Sequence, residues 1–122
     1  MSITAGLVLA LIITLVLHLV EEIKKDFRHR LPLGTMPKPI FIGINICVYS
    51  YCLITLFFSL TDNALAIPFA LALAIGMLLN GLGHIGMMAV RRRYFPGGIT
   101  AFLLASVAIL LIGHLLKMIT VP

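Results

Sequence analysis

Four stretches of this chain carry no Asp, Glu, Lys or Arg for fifteen to nearly thirty residues at a time, and this most limits what it can fold into. The first runs from Ile3 to Leu17, the second from Ile40 to Leu60 and the third from Ala64 to Val90; the fourth begins at Gly97 and meets only Lys117 near its end. A soluble domain is about a quarter charged, whereas 11% of these 122 residues are. With mean hydropathy at +1.18, one aqueous core of a chain this short cannot hide so much apolar surface. Taken on through its polar last turns to Ile23, the first stretch is, like the other three, long enough to cross ~30 Å of hydrocarbon as a helix. The sequence predicts an all-α membrane protein, a single domain of four transmembrane helices in a compact bundle, over about 3–23, 40–60, 64–90 and 97–119.

The breaks between these segments give the topology. Lys24, Lys25, Arg28, Arg30 and Lys38 lie between the first and second, in a loop kept open by Pro32, Gly34, Pro37 and Pro39. Arg91, Arg92 and Arg93 lie between the third and fourth, and Thr61-Asp62-Asn63 is a tight turn between the second and third. Eight of the nine basic residues thus sit at one end of the bundle. The positive-inside rule puts both basic loops in the cytoplasm and both termini on the outer side of the membrane. The net charge of +5 is then an orientation signal, and no nucleic-acid partner is expected. No positive residue precedes the first segment and no Ala-x-Ala-like site follows it, so a retained helix is expected rather than a cleaved signal peptide. Cys47 and Cys52 do not share a helix face and read as packing residues.

His18-Leu-Val-Glu21-Glu22 closes the first segment. Ionisable groups at membrane depth are costly and mark functional sites by default. His18 lies ~9 Å inside the basic boundary, and His84 and Thr100 each lie ~10 Å inside it, counting 1.5 Å per helical residue. Asn45 sits at a similar depth. His18 and Glu22 are ~40° apart on their helix, and Asn80 and His84 share a face in the same way. Ala72 and Gly76 continue the Asn80/His84 stripe as small residues that would admit a neighbouring helix.

His18-x-x-Glu21-Glu22, Asn80-x-x-x-His84 and Pro96-Gly97-x-x-Thr100 together resemble, in order, the three motifs of the HXXEE domain family of small bacterial membrane proteins. The resemblance spans nearly the whole chain. It implies that these residues act together and leaves the reaction open.

Two histidines and two carboxylates from two helices are ligand types for zinc, iron or manganese, and helical bundles hold metals in this way. The expected divalent-metal ligands are His18, Glu22 and His84. Glu21 is expected as a fourth ligand or a general base, Asn80 as a group orienting a ligand, and Asn45 as a support or substrate contact. Pro96, Gly97 and Gly98 would open the fourth helix with backbone N–H groups facing an anionic headgroup or a developing oxyanion, assisted by Thr100. Glu21, Glu22 and Thr100 are therefore the expected catalytic residues. The leading expectation is a metal-dependent membrane enzyme acting on a lipid or other amphipathic substrate. The competing readings are a metal-free acid–base lipid isomerase, a small proton-coupled transporter and a structural partner subunit. Snorkelling of Glu21 or Glu22 to the interface, and an Asn80/His84 pair that only holds helices together, are the plainer accounts of the same residues. Four helices leave much lipid-facing surface, so a homodimer is also expected, with the Ala101/Ala105 stripe as one candidate for close packing.

Overall fold

A computed structural model describes residues 1–121. It comprises α1 (Ile3–Lys24), a 3-10 turn (Phe27–His29), α2 (Lys38–Leu60), α3 (Ala66–Arg91) and α4 (Gly98–Thr120). The helices have 22 to 26 residues, or about 33–39 Å at 1.5 Å per residue, and all four are long and apolar enough to cross a membrane. Each agrees with the sequence reading to within about two residues. Ser2 caps α1 by accepting the Ala5 N–H at 3.1 Å. Pro39 falls in the first turn of α2, where its missing N–H costs nothing, so the helix starts at Lys38 and takes in the end of the expected loop.

The helices form a ring in which α1 touches α2 and α4, and α3 touches α2 and α4. α1 runs antiparallel to α4. At one end Thr4 and His114 share a hydrogen bond of 2.9 Å, and at the other Glu21 meets Thr100. The core is built by three helices: Val8, Leu11 and Leu15 from α1, Leu73, Ala74 and Met77 from α3, and Leu104, Ala108, Leu111 and Leu115 from α4. α2 contributes one core residue, Cys52. Its buried residues, Cys52, Thr55 and Ser59, all lie in its second half. The hydroxyls of Thr55 and Ser59 bond back to carbonyls of their own helix at 2.8 Å, which removes the penalty of burying them. The first half of α2, nearer the basic loops, has no buried residue. Cavities therefore open between it and α1 and α3.

The backbones of α3 and α4 come close at Gly81. A Cβ there would lie 3.0 Å from the Ala101 carbonyl oxygen and 3.2 Å from the Ala105 Cβ. This changes two expectations. The Ala101/Ala105 stripe is buried against α3 within the chain, so it is not free to face a second copy. Ala72 and Gly76 are exposed, and a Cβ on Gly76 would meet nothing within 4 Å. The basic loop is also more ordered than its prolines and glycine suggested: Arg28 and Met36 clasp each other, Met36 N–H to the Arg28 carbonyl at 2.8 Å and Arg28 Nη1 to the Met36 carbonyl at 2.9 Å. Both cysteines are free.

Gly81→Leu is expected to force α3 and α4 apart and cost about 1–3 kcal/mol of stability, read as a lowered unfolding midpoint in detergent. Gly83→Leu, which points into open space, is expected to leave the midpoint unchanged.

Candidate metal centre

The last turns of α1 carry two adjacent carboxylates that go to different places. Successive helical residues differ by about 100° in direction, so Glu21 and Glu22 cannot face the same neighbour. Glu22 turns into the bundle with His18, four residues earlier, and both are buried. α3 supplies His84, also buried. His18 Nε2 lies 3.3 Å from Glu22 Oε1, His84 Nε2 lies 3.1 Å from the same oxygen, and the two Nε2 atoms are 3.3 Å apart. These three residues could hold a metal ion.

The outer nitrogens of the two imidazoles determine what the inner ones present. His84 Nδ1 lies 2.7 Å from the Pro96 carbonyl oxygen, which can only accept, so Nδ1 carries the proton. His18 Nδ1 lies 2.9 Å from Thr100 Oγ1. The single hydroxyl proton of Thr100 is donated to Glu21 Oε1 at 2.8 Å, so Oγ1 accepts from His18. In the neutral rings both Nε2 atoms then present lone pairs, and they do so toward a carboxylate oxygen. Those two lone pairs and the Glu22 oxygen would then be three acceptors facing one another, a set that a cation, metal or proton, would satisfy. The His84 ring is walled by Phe27 and Phe95, at centroid distances of 5.3 and 5.4 Å.

Glu21 turns the other way, onto the start of α4. Its Oε1 accepts from Thr100 N–H and Thr100 Oγ1, both at 2.8 Å. Its Oε2 accepts from Gly97 N–H at 3.1 Å, from Ile99 N–H at 3.2 Å and from the Tyr94 hydroxyl. A helix N-terminus offers unsatisfied N–H groups and partial positive charge, and here the chain's own carboxylate fills it. This differs from the sequence expectation in two respects. Glu21 stands apart from the three convergent donors and has both oxygens engaged by five donors, which suits an anchor rather than a ligand or base. The Pro96-Gly97-Gly98 turn has its anion already: Gly97 N–H goes to Glu21 and Gly98 N–H to the Phe95 carbonyl at 2.9 Å, so neither faces an outside headgroup. Pro96 precedes the helix rather than opening it, and serves the site through its carbonyl. Thr100 bridges Glu21 to His18 and so positions an imidazole.

Gly97 is required twice over. Its φ of +87° is left-handed, and a Cβ would fall 2.7 Å from His84 Nδ1 and 2.8 Å from His18 Cε1. Asn45 and Asn80 line a cavity of about 330 Å3 together with His18, Glu22 and apolar residues of α1, α2 and α3. The Asn45 amide donates to the Phe41 carbonyl at 2.9 Å. Asn80 lies on the cavity wall rather than against His84, whose two nitrogens are taken as described. A second cavity of about 290 Å3 shares Glu22, Phe27 and Phe41 with the first and reaches Arg28 and Lys38. The role of Tyr94 was not legible beforehand; an aromatic beside a basic run reads as an interfacial residue, and only the fold brings it to Glu21.

A family described as "Protein of unknown function with HXXEE motif" matches residues 9–112. The chain belongs to this family. No curated protein and no solved structure matches it. The matched span contains the whole HXXEE constellation, with His18, Glu21, Glu22, His84 and Thr100 in or against one site.

Partial burial and the bonded Glu21 carboxylate push the Tyr94 phenol up to about 12 from 10.0. A phenol that holds its proton longer when folded contributes stability fully below pH 10, and that contribution is lost between pH 10 and 12. In ultraviolet titration read as the difference from Tyr94→Phe, the Tyr94 phenol is expected to ionise near pH 12, and Glu21→Gln is expected to move it back toward 10. The same change, by removing the charge at the α4 N-terminus, is expected to cost about 2 kcal/mol at pH 7.

Proposed function

We propose that this HXXEE protein is a metal-dependent integral-membrane enzyme whose site receives an amphipathic substrate from within the bilayer. The observation that carries this is the meeting of His18 Nε2, His84 Nε2 and Glu22 Oε1 with both imidazole lone pairs turned inward by Pro96 and Thr100. Three acceptors at 3.1–3.3 Å repel one another unless a cation lies among them. A proton is the smaller choice, but charge-assisted N–H···O bonds close to about 2.7–2.9 Å. Two ligands about 2.0–2.1 Å from a tetrahedral zinc ion lie about 3.3–3.4 Å apart, which is nearer the observed spacing. Zinc, iron or manganese would suit two imidazoles and a carboxylate.

A divalent ion held by these three residues supplies Lewis-acid polarisation of a carbonyl or phosphoryl oxygen and an activated water. The chain's own part is to fix the ligand directions through Thr100 and Pro96, to shield His84 with Phe27 and Phe95, and to present Glu22 at the junction of two cavities. The larger cavity has an apolar wall with Asn45 and Asn80 as its amides, and it opens where the first half of α2 leaves the bundle. An acyl or prenyl chain suits that wall, and a polar linkage suits the amides beside His18 and Glu22. The dense packing of Val8, Leu11, Leu104 and Leu111 beyond the site favours chemistry at one side of the membrane over a path through it. Positive-inside topology puts that side in the cytoplasm.

Zinc titrated into chelator-treated protein is expected to bind at one site per chain. Thr100→Val removes the partner of His18 Nδ1 and is expected to weaken binding 10–100-fold, whereas His84→Ala abolishes it. In vesicles of phosphatidylethanolamine and phosphatidylglycerol, mass spectrometry is expected to show lipid turnover that stops on chelation and returns with metal. Turnover that survives complete chelation would overturn the metal-dependent reading.

A further inference from the structure

A second polar cavity lies outside the metal centre, on the far side of Pro96. It encloses about 240 Å3 and is lined by His29 and Arg30 from the first basic loop, by Arg91 and Arg93 from the end of α3, and by Tyr94 and Pro96. An orientation signal needs only positive charge near the membrane surface. It does not need residues 61 apart in sequence to meet around one hollow, as Arg30 and Arg91 do.

Arg91 is held in place. It is half-buried, its Nη1 donates to the Arg30 carbonyl at 3.2 Å, and its guanidinium carbon stands 5.6 Å over the Phe95 ring. One of its five N–H donors is used in this way. Among the described residues the ion pairs are those of Glu22 with His18 and His84, so Arg30, Arg91 and Arg93 have no carboxylate within 4 Å. The Tyr94 hydroxyl on the cavity wall donates to Glu21, whose oxygens are engaged by five donors. Three arginines thus line one polar hollow with no carboxylate paired to them among the described residues.

We propose that this cavity binds a phosphate group, carried either by the headgroup of an anionic lipid or by a soluble phosphorylated molecule. The planar guanidinium fork matches two phosphate oxygens at once. The site is independent of the metal centre, although Pro96 belongs to both: it lines this cavity, and its carbonyl holds His84 Nδ1.

The test is calorimetric titration of the whole chain in neutral detergent with inorganic phosphate and, separately, with dihexanoyl phosphatidic acid. Saturable binding of one equivalent is expected for at least one probe. Arg30→Gln and Arg91→Gln are each expected to weaken it tenfold or more. Arg93→Gln, at an exposed position, gives the same reading should Arg91→Gln fail to fold. The double variant Lys24→Gln/Lys25→Gln removes more charge from the same end of the bundle, outside the cavity, and is expected to change affinity less than twofold. Equal affinity for both probes assigns the site to soluble phosphate, and binding of the lipid alone assigns it to a headgroup. Absence of saturable binding by either probe, or equal weakening by the lysine double variant, overturns the proposal.

Discussion

The contact on which the rest of the site depends is the Glu21 carboxylate lying across the N-terminus of α4. A charged group near membrane depth is costly unless hydrogen bonds and opposite charge replace its water. Five donors and the positive end of a helix do so here. The contact also fixes distance. It ties the end of α1 to the start of α4, and Thr100, which donates to Glu21, accepts from His18 in turn. The Pro96-Gly97 strap then runs beneath both imidazoles closely enough that only glycine fits, and its carbonyl orients His84 from α3. One carboxylate thereby sets three helices in register around the convergent donors.

The two glutamates divide the work because the helix turns between them. Glu21 is spent on structure and Glu22 on the centre. This gives the outer shell of the site a graded logic: backbone N–H groups hold Glu21, Glu21 holds Thr100, Thr100 holds His18. Outer partners of this kind determine which imidazole nitrogen is left to bind a cation. The contrast with α2 is equally informative. α1, α3 and α4 are locked by the core and by this network, while α2 packs only in its second half. The densely packed part of the molecule carries the donors, and the loosely packed helix borders the cavities.

Much of this was legible in the sequence. Apolar length and flanking charge are local properties, so the four helices were readable to within about two residues at each end. Depth counted from the basic boundaries brought His18 and His84 to one level, because helical rise is constant and both lie within continuous helices, and the four-residue spacing put Glu22 on the His18 face. What could not be read depends on which helix face meets which. Glu21 read as a fourth ligand or a general base because its partner is a helix N-terminus, an array of backbone groups that leaves no side-chain pattern. The small-residue stripes of Ala72/Gly76 and Ala101/Ala105 looked equivalent, since small residues announce that something comes close without saying what; only the second is used, against Gly81. Tyr94 and the Arg30/Arg91 meeting arise from two loops that are adjacent only after the bundle closes.

The central claim is that His18, Glu22 and His84 hold one metal ion. X-ray absorption on protein purified without added chelator tests it most directly, with elemental analysis giving the count per chain. The account predicts one divalent ion per chain, with nitrogen and oxygen donors at about 2.0–2.2 Å, two of them imidazole, and its loss in His84→Ala at unchanged helical content. A folded protein that takes up no stoichiometric metal when zinc, iron or manganese is supplied, or an ion retained unchanged in His84→Ala, would contradict it.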